Sequence, residues 1–340
     1  MRRFHCTCGQ EVIFEDSECP ACGRLLGFNP ESLTMLAAAR HNATKLRFGT
    51  GDGLRACALR NHPVACNWLI PANGPHVQCC SCRLTRTIPA QTIPLNVQRW
   101  KILESAKRRL VYSLLWLDLP IVDRAQNPAS GLAFDFMEDQ RTNPLVKKHR
   151  VHTGHKNGVI TLYAAEADDV HRMMAREQMN ERYRTVLGHM RHESGHYYWD
   201  VLVKNTEWYP RFRRLFGGEE NYREALDCYY AHGPAPNWVS RHISAYASAH
   251  PWEDWAETWA HYLHIMSTLE TATGFGVIPH ADVYSSDFHV LIQKWEQLTV
   301  LMNSLNRSMG MPDAYPFWLT PQVIVKLRFI HQVIAAHSQA

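Results

Sequence analysis

The most informative motif of the sequence is His192-Glu-Ser-Gly-His196, an H-E-x-x-H arrangement. On a helix, positions i and i+4 lie on one face about a turn apart. His192 and His196 can therefore aim imidazole nitrogens at the same point, as a tetrahedral Zn²⁺ site needs. Glu193 is offset from that line, so it can reach a metal-bound water and act as its general base. The motif predicts a water-activating metal site, although with 20 histidines in the chain a chance match is conceivable.

A second group of candidate ligands lies within residues 243–264. Glu253, Glu257 and His261 follow one another at intervals of four, so on a helix they share one face, and Pro251 fits the first turn of that helix. A catalytic zinc usually takes three protein ligands and leaves a fourth position for water. The two histidines therefore need a third ligand, for which Glu253, Glu257 and His261 are all candidates.

Most of the ten cysteines fall in the first 82 residues, in closely spaced pairs. Cys19-Pro-Ala-Cys22-Gly is a zinc knuckle, in which two thiolates converge on one ion and the glycine permits the tight turn that follows. Its partner pair, Cys6-Thr-Cys8, lacks one residue of the usual spacing, so His5 could replace one of these cysteines as a ligand. This pattern predicts a zinc ribbon over residues 1–30.

A second cysteine set predicts a further structural zinc. Cys79 and Cys82 form a knuckle with Cys80 as a spare, and a loop could bring Cys57 and Cys66 to the same ion. We assign residues 31–94 to a linker and this second module. Modules of this size cannot fold on their apolar content alone, so the metal would supply much of their stability.

The composition restricts the class of protein. With 340 residues, 46% of them hydrophobic, the chain can form one large domain and a small one. The net charge of +4 is too weak and dispersed to predict binding to nucleic acid or to a membrane surface. The N-terminus lacks the apolar core of a signal peptide, and the most apolar run, residues 110–122, is too short for a membrane span. Together with the paired cysteines, this predicts a protein of the reducing cytoplasm.

The hydrophobic pattern predicts a mostly helical α+β domain over residues 95–340. It predicts a helix over residues 97–122, with Lys107, Arg108 and Arg109 on a solvated face. Residues 134–143 look irregular and acidic, and residues 208–221 look like a connection before a helix at 222–232. Apolar stripes over residues 290–305 and 323–336 predict two further helices. Residues 158–163 form a predicted strand, expected at a sheet edge where an extended peptide could bind through its main chain.

The two histidine- and glutamate-bearing stretches resemble those of the gluzincins, the thermolysin-like metallopeptidases whose third zinc ligand is a glutamate on a later helix. The resemblance implies Glu253 as that ligand. It implies Glu257, four residues on, as the carboxylate that hydrogen-bonds a histidine ligand and fixes its tautomer. The lethal-factor-type gluzincins also have a tyrosine seven residues before the glutamate, facing the scissile carbonyl. Tyr246 stands seven residues before Glu253.

More closely, the chain is similar to a bacterial family of zinc-binding metallopeptidases with an N-terminal zinc ribbon. The similarity is carried by Cys19-Pro-Ala-Cys22-Gly-Arg-Leu-Leu-Gly27, Cys66-Asn-Trp-Leu-Ile-Pro71, Arg191-His-Glu-Ser-Gly-His-Tyr-Tyr-Trp199, residues 250–264 and Asn306-Arg-Ser-Met-Gly310. These segments extend from the first cysteines almost to the C-terminus. The family implies a peptidase but supplies no substrate, and the spacing of Cys6 and Cys8 leaves the ligands of the first ribbon open.

The predicted fold class is α+β and predominantly helical: a gluzincin-like zinc metallopeptidase domain behind a small cysteine-rich zinc-ribbon region. The predicted function is that of a hydrolase, a zinc-dependent protease with one catalytic Zn²⁺ and one or two structural Zn²⁺ ions. Glu193 would move the proton from water to the leaving amine, and Tyr246 would donate a hydrogen bond to the oxyanion. The expected partners are a peptide or protein substrate and a further protein at the ribbon. The alternative is a non-enzymatic, zinc-stabilised interaction protein in which the H-E-x-x-H site is structural.

Overall fold

The computed structural model describes residues 2–38, 48, 53–178, 185–279 and 287–338. Part of the predicted linker within residues 31–94 therefore lies outside the described residues. The chain divides into two compact units, Met1–Arg172 and Met173–Ala340. Both cysteine sets belong to the first unit, and the H-E-x-x-H motif and residues 243–264 belong to the second.

Short antiparallel hairpins form the cysteine-rich part of the first unit. They pair β1 (Phe4–His5) with β2 (Glu11–Val12), β3 (Leu26–Asn29) with β4 (Thr34–Ala37), and β5 (Leu54–Ala56) with β6 (Leu69–Pro71). Two-stranded hairpins of this length are not stable alone in water. They are held by a buried aromatic cluster whose rings lie 5.0–6.2 Å apart, formed by Phe4, Phe14, Phe28, Trp68 and Tyr112.

The rest of the first unit is a long helix and a small mixed sheet. Helix α1 (Pro94–Trp116) begins with a proline in its first turn and buries Leu103, Leu110 and Leu114. The sheet has the order β7-β8-β10-β9, formed by β7 (Thr85–Thr87), β8 (Ala133–Met137), β9 (Gly154–Lys156) and β10 (Val159–Tyr163). Strand β10 runs parallel to β8 and antiparallel to β9, with the left-handed residues Asn157 and Gly158 forming the turn between β9 and β10.

Two expectations about this sheet are wrong. The segment expected to be irregular begins as β8, whose Phe134 and Phe136 are buried while Asp135 binds Arg86 and Thr87 on β7. Asp135 hid this pattern, because its partners Arg86 and Thr87 lie 49 and 48 residues earlier in the sequence. Strand β10 is not an edge strand, because it is paired with β8 on one side and β9 on the other. It therefore offers no free edge for a substrate over its paired residues.

The expectation of a solvated basic face on α1 is also wrong for two of its three residues. Lys107 is fully buried and forms an ion pair with Glu104 at 2.9 Å, with the Phe134 and Phe136 rings nearby. Arg108 is buried as well, and only Arg109 reaches the surface, where it contacts Glu15. The buried charge of Lys107 is tolerated because Glu104, one turn earlier on the same helix, is buried with it.

The second unit is helical in its described residues. Helix α2 (Asp169–Gln178) lies at the boundary between the units, and the helices that follow are α3 (Val186–Leu202), α4 (Tyr209–Phe216), α5 (Tyr222–His232), α6 (Trp238–Arg241), α7 (Pro251–Gly274), α8 (Phe288–Ser308) and α9 (Pro321–Ser338). Their shared core is aromatic, with Trp255 in contact with Trp259, Phe212 and Phe329. No described helix is long and apolar enough to cross a membrane.

Local sequence explains where the two longest site helices begin. Thr185 caps α3 by accepting a hydrogen bond from Gly188 N–H, and His250 caps α7 by accepting one from Trp252 N–H. Helix α4 was expected to be part of a connection. It forms because Phe212 and Phe216 are buried on one face while its arginines stay outside, and it ends at Gly217, whose φ is +112°.

Candidate metal centres

The helices that carry the candidate ligands of the second unit, α3 and α7, cross at close range. A Cβ placed on Gly195 would lie 2.9 Å from Ala256 Cα and 3.2 Å from Trp259 Cβ. Trp255 Nε1–H donates to Gly195 O at 2.8 Å, and Trp259 Nε1–H donates to Ser194 Oγ at 3.1 Å. The two x positions of the H-E-x-x-H motif are therefore the helix–helix contact, and this contact places α7 against the histidine-bearing helix.

Three candidate ligands converge beside this crossing. His192, His196 and Glu253 each offer one ligand atom, and these atoms all lie within 4.8 Å of one another. Glu253 Oε2 is 2.9 Å from His192 Nε2 and 3.5 Å from His196 Nε2. The three side chains are only 12%, 6% and 1% exposed, and the Trp252 ring covers His196 with centroids 4.3 Å apart. The structure thus brings together the two histidines and the glutamate that the resemblance implied.

The donor set at this point fits a bound Zn²⁺ ion. Burial alone would raise the pKa of Glu253, but the charges of His196 and His192 hold it well below its ordinary value. Glu253 and Glu257 raise the pKa of His192 well above its ordinary value against the effect of burial. Among the described residues, Glu253 Oε2 is buried and accepts no hydrogen bond. A cation bound to this oxygen and the two imidazoles would satisfy it, and the two-histidine, one-glutamate set is one that catalytic zinc uses.

Glu257 holds His192 at its other ring nitrogen. His192 Nδ1–H donates to Glu257 Oε1 at 2.6 Å, and Ser244 Oγ–H donates to Glu257 Oε2 at 2.5 Å. Burial acts to raise the pKa of Glu257, but the hydrogen bond from His192 and the charge of His192 lower it to about 2. A carboxylate on Nδ1 leaves the lone pair on Nε2, which is the nitrogen that faces Glu253.

Glu193 and Tyr246 have environments that suit proton transfer and hydrogen-bond donation. Glu193 is buried on α3, and burial raises its pKa although the charges of His192 and His196 act against that shift. Tyr246 begins a single 3₁₀ turn, Tyr246–Ser248, and its ring centroid lies 5.9 Å from that of His192. Burial and the charge of Glu253 raise the pKa of Tyr246 well above its ordinary value. Its phenol therefore stays protonated and able to donate.

Tyr222 is a site residue that the sequence did not reveal. It is the first residue of α5, and its Oη–H donates to Glu253 Oε1 at 2.5 Å. Its ring also contacts His250 and Trp252, with centroids 4.9 Å and 5.5 Å away. Thirty-one residues separate it from Glu253, and no motif spacing marks such a pair.

His261, another candidate ligand on α7, lies apart from the ligand group. His261 Nδ1 is 2.7 Å from Tyr315 Oη, and burial lowers the pKa of His261 to about 4. Among the described residues, the group that could hold a metal here contains neither His261 nor Glu257.

In the first unit, Cys6, Cys8, Cys19 and Cys22 form one group that could hold a metal ion. Cys6 Sγ is 3.7 Å from Cys22 Sγ, and Cys8 Sγ is 3.7 Å from Cys19 Sγ. A zinc tetrahedron with bonds of about 2.3 Å has sulfur–sulfur edges of about 3.8 Å, so these spacings fit the ion. His5 is not part of the group as described.

The second cysteine set forms a more enclosed group. Cys57, Cys66, Cys79 and Cys82 are all buried and could hold one ion, and Cys80 lies outside this group. Cys66 Sγ is 3.8 Å from Cys79 Sγ, which again matches a zinc tetrahedron. Cys79 N–H donates to Cys57 Sγ and Cys82 N–H donates to Cys79 Sγ, at 3.3 Å and 3.4 Å. Such bonds stabilise the thiolate form that binds zinc.

Two four-cysteine groups could hold structural zinc, and the two-histidine, one-glutamate group on α3 and α7 has the donor set of zinc metallopeptidases. A family described as "putative zinc-binding metallo-peptidase" matches residues 96–333, and the chain belongs to this family. A zinc-ribbon domain matches residues 3–93, so that both cysteine groups fall in one domain. The expectation of a mixed α+β chain with an N-terminal zinc ribbon is confirmed.

The chain is also similar to mycobacterial proteins. It is 43% identical to an uncharacterized protein of Mycobacterium bovis and to uncharacterized proteins of two Mycobacterium tuberculosis strains. Each match covers 98% of this chain and 95% of the relative. No solved structure matches the chain.

Proposed function

We propose that the chain is a zinc-dependent peptidase of the gluzincin type, in which His192, His196 and Glu253 hold the catalytic ion. The observation that carries the proposal is the convergence of these three ligand atoms within 4.8 Å, beside the buried carboxylate of Glu193, which follows His192 on α3. When bound, the ion would polarise the scissile carbonyl and lower the pKa of water at the site.

The side chains around the ligands would then carry out the proton transfers of peptide hydrolysis. Glu193 accepts the proton of the attacking water and delivers it to the leaving amine, a task for which a raised pKa is suited. Tyr246 donates a hydrogen bond to the oxyanion as charge develops there. Glu257 keeps His192 in the tautomer that presents Nε2. The substrate is a peptide or protein.

We further propose that the two four-cysteine groups each hold a structural Zn²⁺, which gives three ions per chain with the catalytic one. All ten cysteines are free of disulfides, which suits a reducing compartment such as the cytoplasm. Residues 1–30, 31–94 and 95–340 would form the ribbon, the linker with the second module, and the catalytic domain. The ribbon region offers a surface for a protein partner.

Glu193→Gln tests the catalytic proposal. Gln keeps the size of the side chain but cannot accept the proton, so cleavage should fall by at least about 100-fold, in line with the usual contribution of a general base. Zinc content should equal that of the wild type, because Glu193 is not among the candidate ligands. Cleavage is measured on a peptide library derived from a whole proteome, and zinc is measured by elemental analysis.

His196→Ala serves as the matched variant, since it should lose both cleavage and one equivalent of zinc. If wild type and Glu193→Gln yield the same peptide products, the peptidase mechanism is wrong. If wild type retains the ion but cleaves nothing, the site is structural and the chain is a zinc-stabilised interaction protein instead.

A further inference from the structure

Helix α5 is an exposed helix that contacts the ligand site through its tyrosines. It has no buried residue along its length, Tyr222–His232. Tyr222 contacts Glu253, His250 and Trp252, and Tyr229 lies against Tyr246 with ring centroids 5.7 Å apart. The core of the second unit therefore does not account for the position of this helix, whereas the ligand site does.

The residues on both sides of α5 have positive φ angles, and one hydrogen bond links the start of α5 to that of α7. Asn221, directly before the helix, has a φ of +60°, and Gly233, directly after it, has a φ of +80°. His250 Nε2–H donates to Glu220 O at 3.2 Å, which ties the entry of α5 to the start of α7. The hydrogen bond at Glu220 lies two residues before Tyr222, whose hydroxyl contacts Oε1 of Glu253.

The two oxygens of Glu253 have different neighbours. Oε2 faces the Nε2 atoms of His192 and His196, whereas Oε1 accepts the hydrogen bond from Tyr222. A carboxylate can bind a zinc ion through one oxygen or through both. A catalytic zinc with three protein ligands and a water can take a fifth ligand in the transition state, and binding through both oxygens would occupy that fifth position in advance.

We propose that Tyr222 is a positioning residue that occupies Glu253 Oε1 and so limits Glu253 to binding the metal through Oε2 alone. The proposal rests on the proposed function, because it presumes that the three-residue group holds the ion. It assigns to Tyr222 the preservation of the open coordination position rather than contact with the substrate.

Tyr222→Phe tests this assignment, because it removes the hydroxyl and keeps the ring that contacts His250 and Trp252. With Oε1 released, Glu253 binds through both oxygens and the coordination number rises. The visible absorption of the Co²⁺-substituted protein should then weaken, as it does when cobalt passes from four to five ligands. The kcat should fall by about 10- to 100-fold, the range for removal of an outer hydrogen-bond partner, with KM little changed.

Tyr209→Phe is the matched control. Tyr209 Oη–H donates to Glu219 Oε1 at 2.5 Å, so the control removes a tyrosine–glutamate hydrogen bond of the same length in the same unit. Neither Tyr209 nor Glu219 belongs to the ligand group. The control should therefore leave both the cobalt spectrum and kcat as in the wild type. The cobalt of the cysteine groups is removed from every spectrum by subtracting that of His196→Ala.

The outcomes separate this proposal from the proposed function. A Tyr222→Phe spectrum equal to that of wild type overturns the positioning role, and so does loss of the metal from the site. An equal change of the cobalt spectrum in Tyr209→Phe overturns it too, since the loss of a tyrosine–glutamate hydrogen bond outside the ligand group would then have the same effect. If the wild type binds cobalt at this site but cleaves nothing, the peptidase proposal fails while the spectra still decide the role of Tyr222.

Discussion

At the scale of the residue, the site is defined by how His192 is shared between two carboxylates. Glu253 faces its Nε2 atom and Glu257 accepts from its Nδ1 atom, so the ring orientation is fixed by two carboxylates, and an ion that displaces the Nε2 proton would leave the tautomer with Nδ1–H on Glu257. Glu253 and Glu257 are four residues apart on α7, and one helix therefore supplies both contacts. This explains why the four-residue spacing in the sequence was informative about chemistry.

Glu257→Gln should weaken zinc binding by His192. The amide keeps the shape of the side chain but removes the negative charge that makes Nε2 a better donor to the metal. We expect the affinity of this site for zinc to fall by about 10- to 100-fold, as measured by competition with a chelator. Ser244→Ala removes only the hydroxyl that donates to Glu257, so its effect should be smaller. Equal affinities in Glu257→Gln and wild type would contradict this account.

At the scale of the element, the ligands meet because α3 and α7 approach closely at Gly195. Glycine is required at position 195 because a side chain would not fit there, and not because the backbone adopts a conformation that other residues avoid. Ser194 and Gly195 occupy the unspecified x positions of the H-E-x-x-H motif. Nothing in the neighbouring sequence indicates that α7 packs on them. Trp255 and Trp259, which donate to them, belong to a segment about sixty residues later.

Gly195→Ala should separate the two helices. The added Cβ would lie 2.9 Å from Ala256 Cα. This atom belongs to the backbone of α7, which cannot move aside as the end of a flexible side chain can. We expect a loss of about 1–3 kcal/mol in the free energy of unfolding, as is usual for an overpacked interface, together with weaker zinc binding. Denaturant unfolding and chelator competition measure the two effects. Ser194→Ala adds no volume and should keep zinc affinity, so a similar loss of affinity in both variants would refute the steric explanation.

Local patterns predicted the elements whose signals are local. The helix at 222–232 and the start of α7 at Pro251 follow from turn residues and a first-turn proline, and the structure has both. Strand β8, helix α4 and the buried Lys107 could not be predicted in this way. Each depends on a partner supplied by distant sequence or by tertiary packing: Arg86 for Asp135 in β8, the aromatic core for Phe212 in α4, and the β8 rings around Lys107. The contact of Tyr222 with Glu253 belongs to the same class.

At the scale of the whole molecule, the three candidate metal groups differ in how far solvent can reach them. Both cysteine groups are linked along the chain to one aromatic cluster, since Phe4 stands two residues before Cys6 and Trp68 two residues after Cys66, and both rings contact Phe28. The family match over residues 3–93 as one domain agrees with this shared core. The two groups nevertheless have unequal exposure: Cys8 is exposed and Cys22 half-buried, whereas all four cysteines of the second group are buried.

This difference predicts the order in which a chelator removes zinc. A chelator must reach a thiolate to displace the ion, so the first cysteine group should release zinc faster than the second. The chain should contain three zinc ions, and release from the cysteine groups should show two phases that differ by at least about tenfold in rate. Cys8→Ser should abolish the faster phase and Cys66→Ser the slower one, with a zinc-sensitive dye recording both. A single phase that both variants alter alike would show that the aromatic core couples the two groups into one cooperative site.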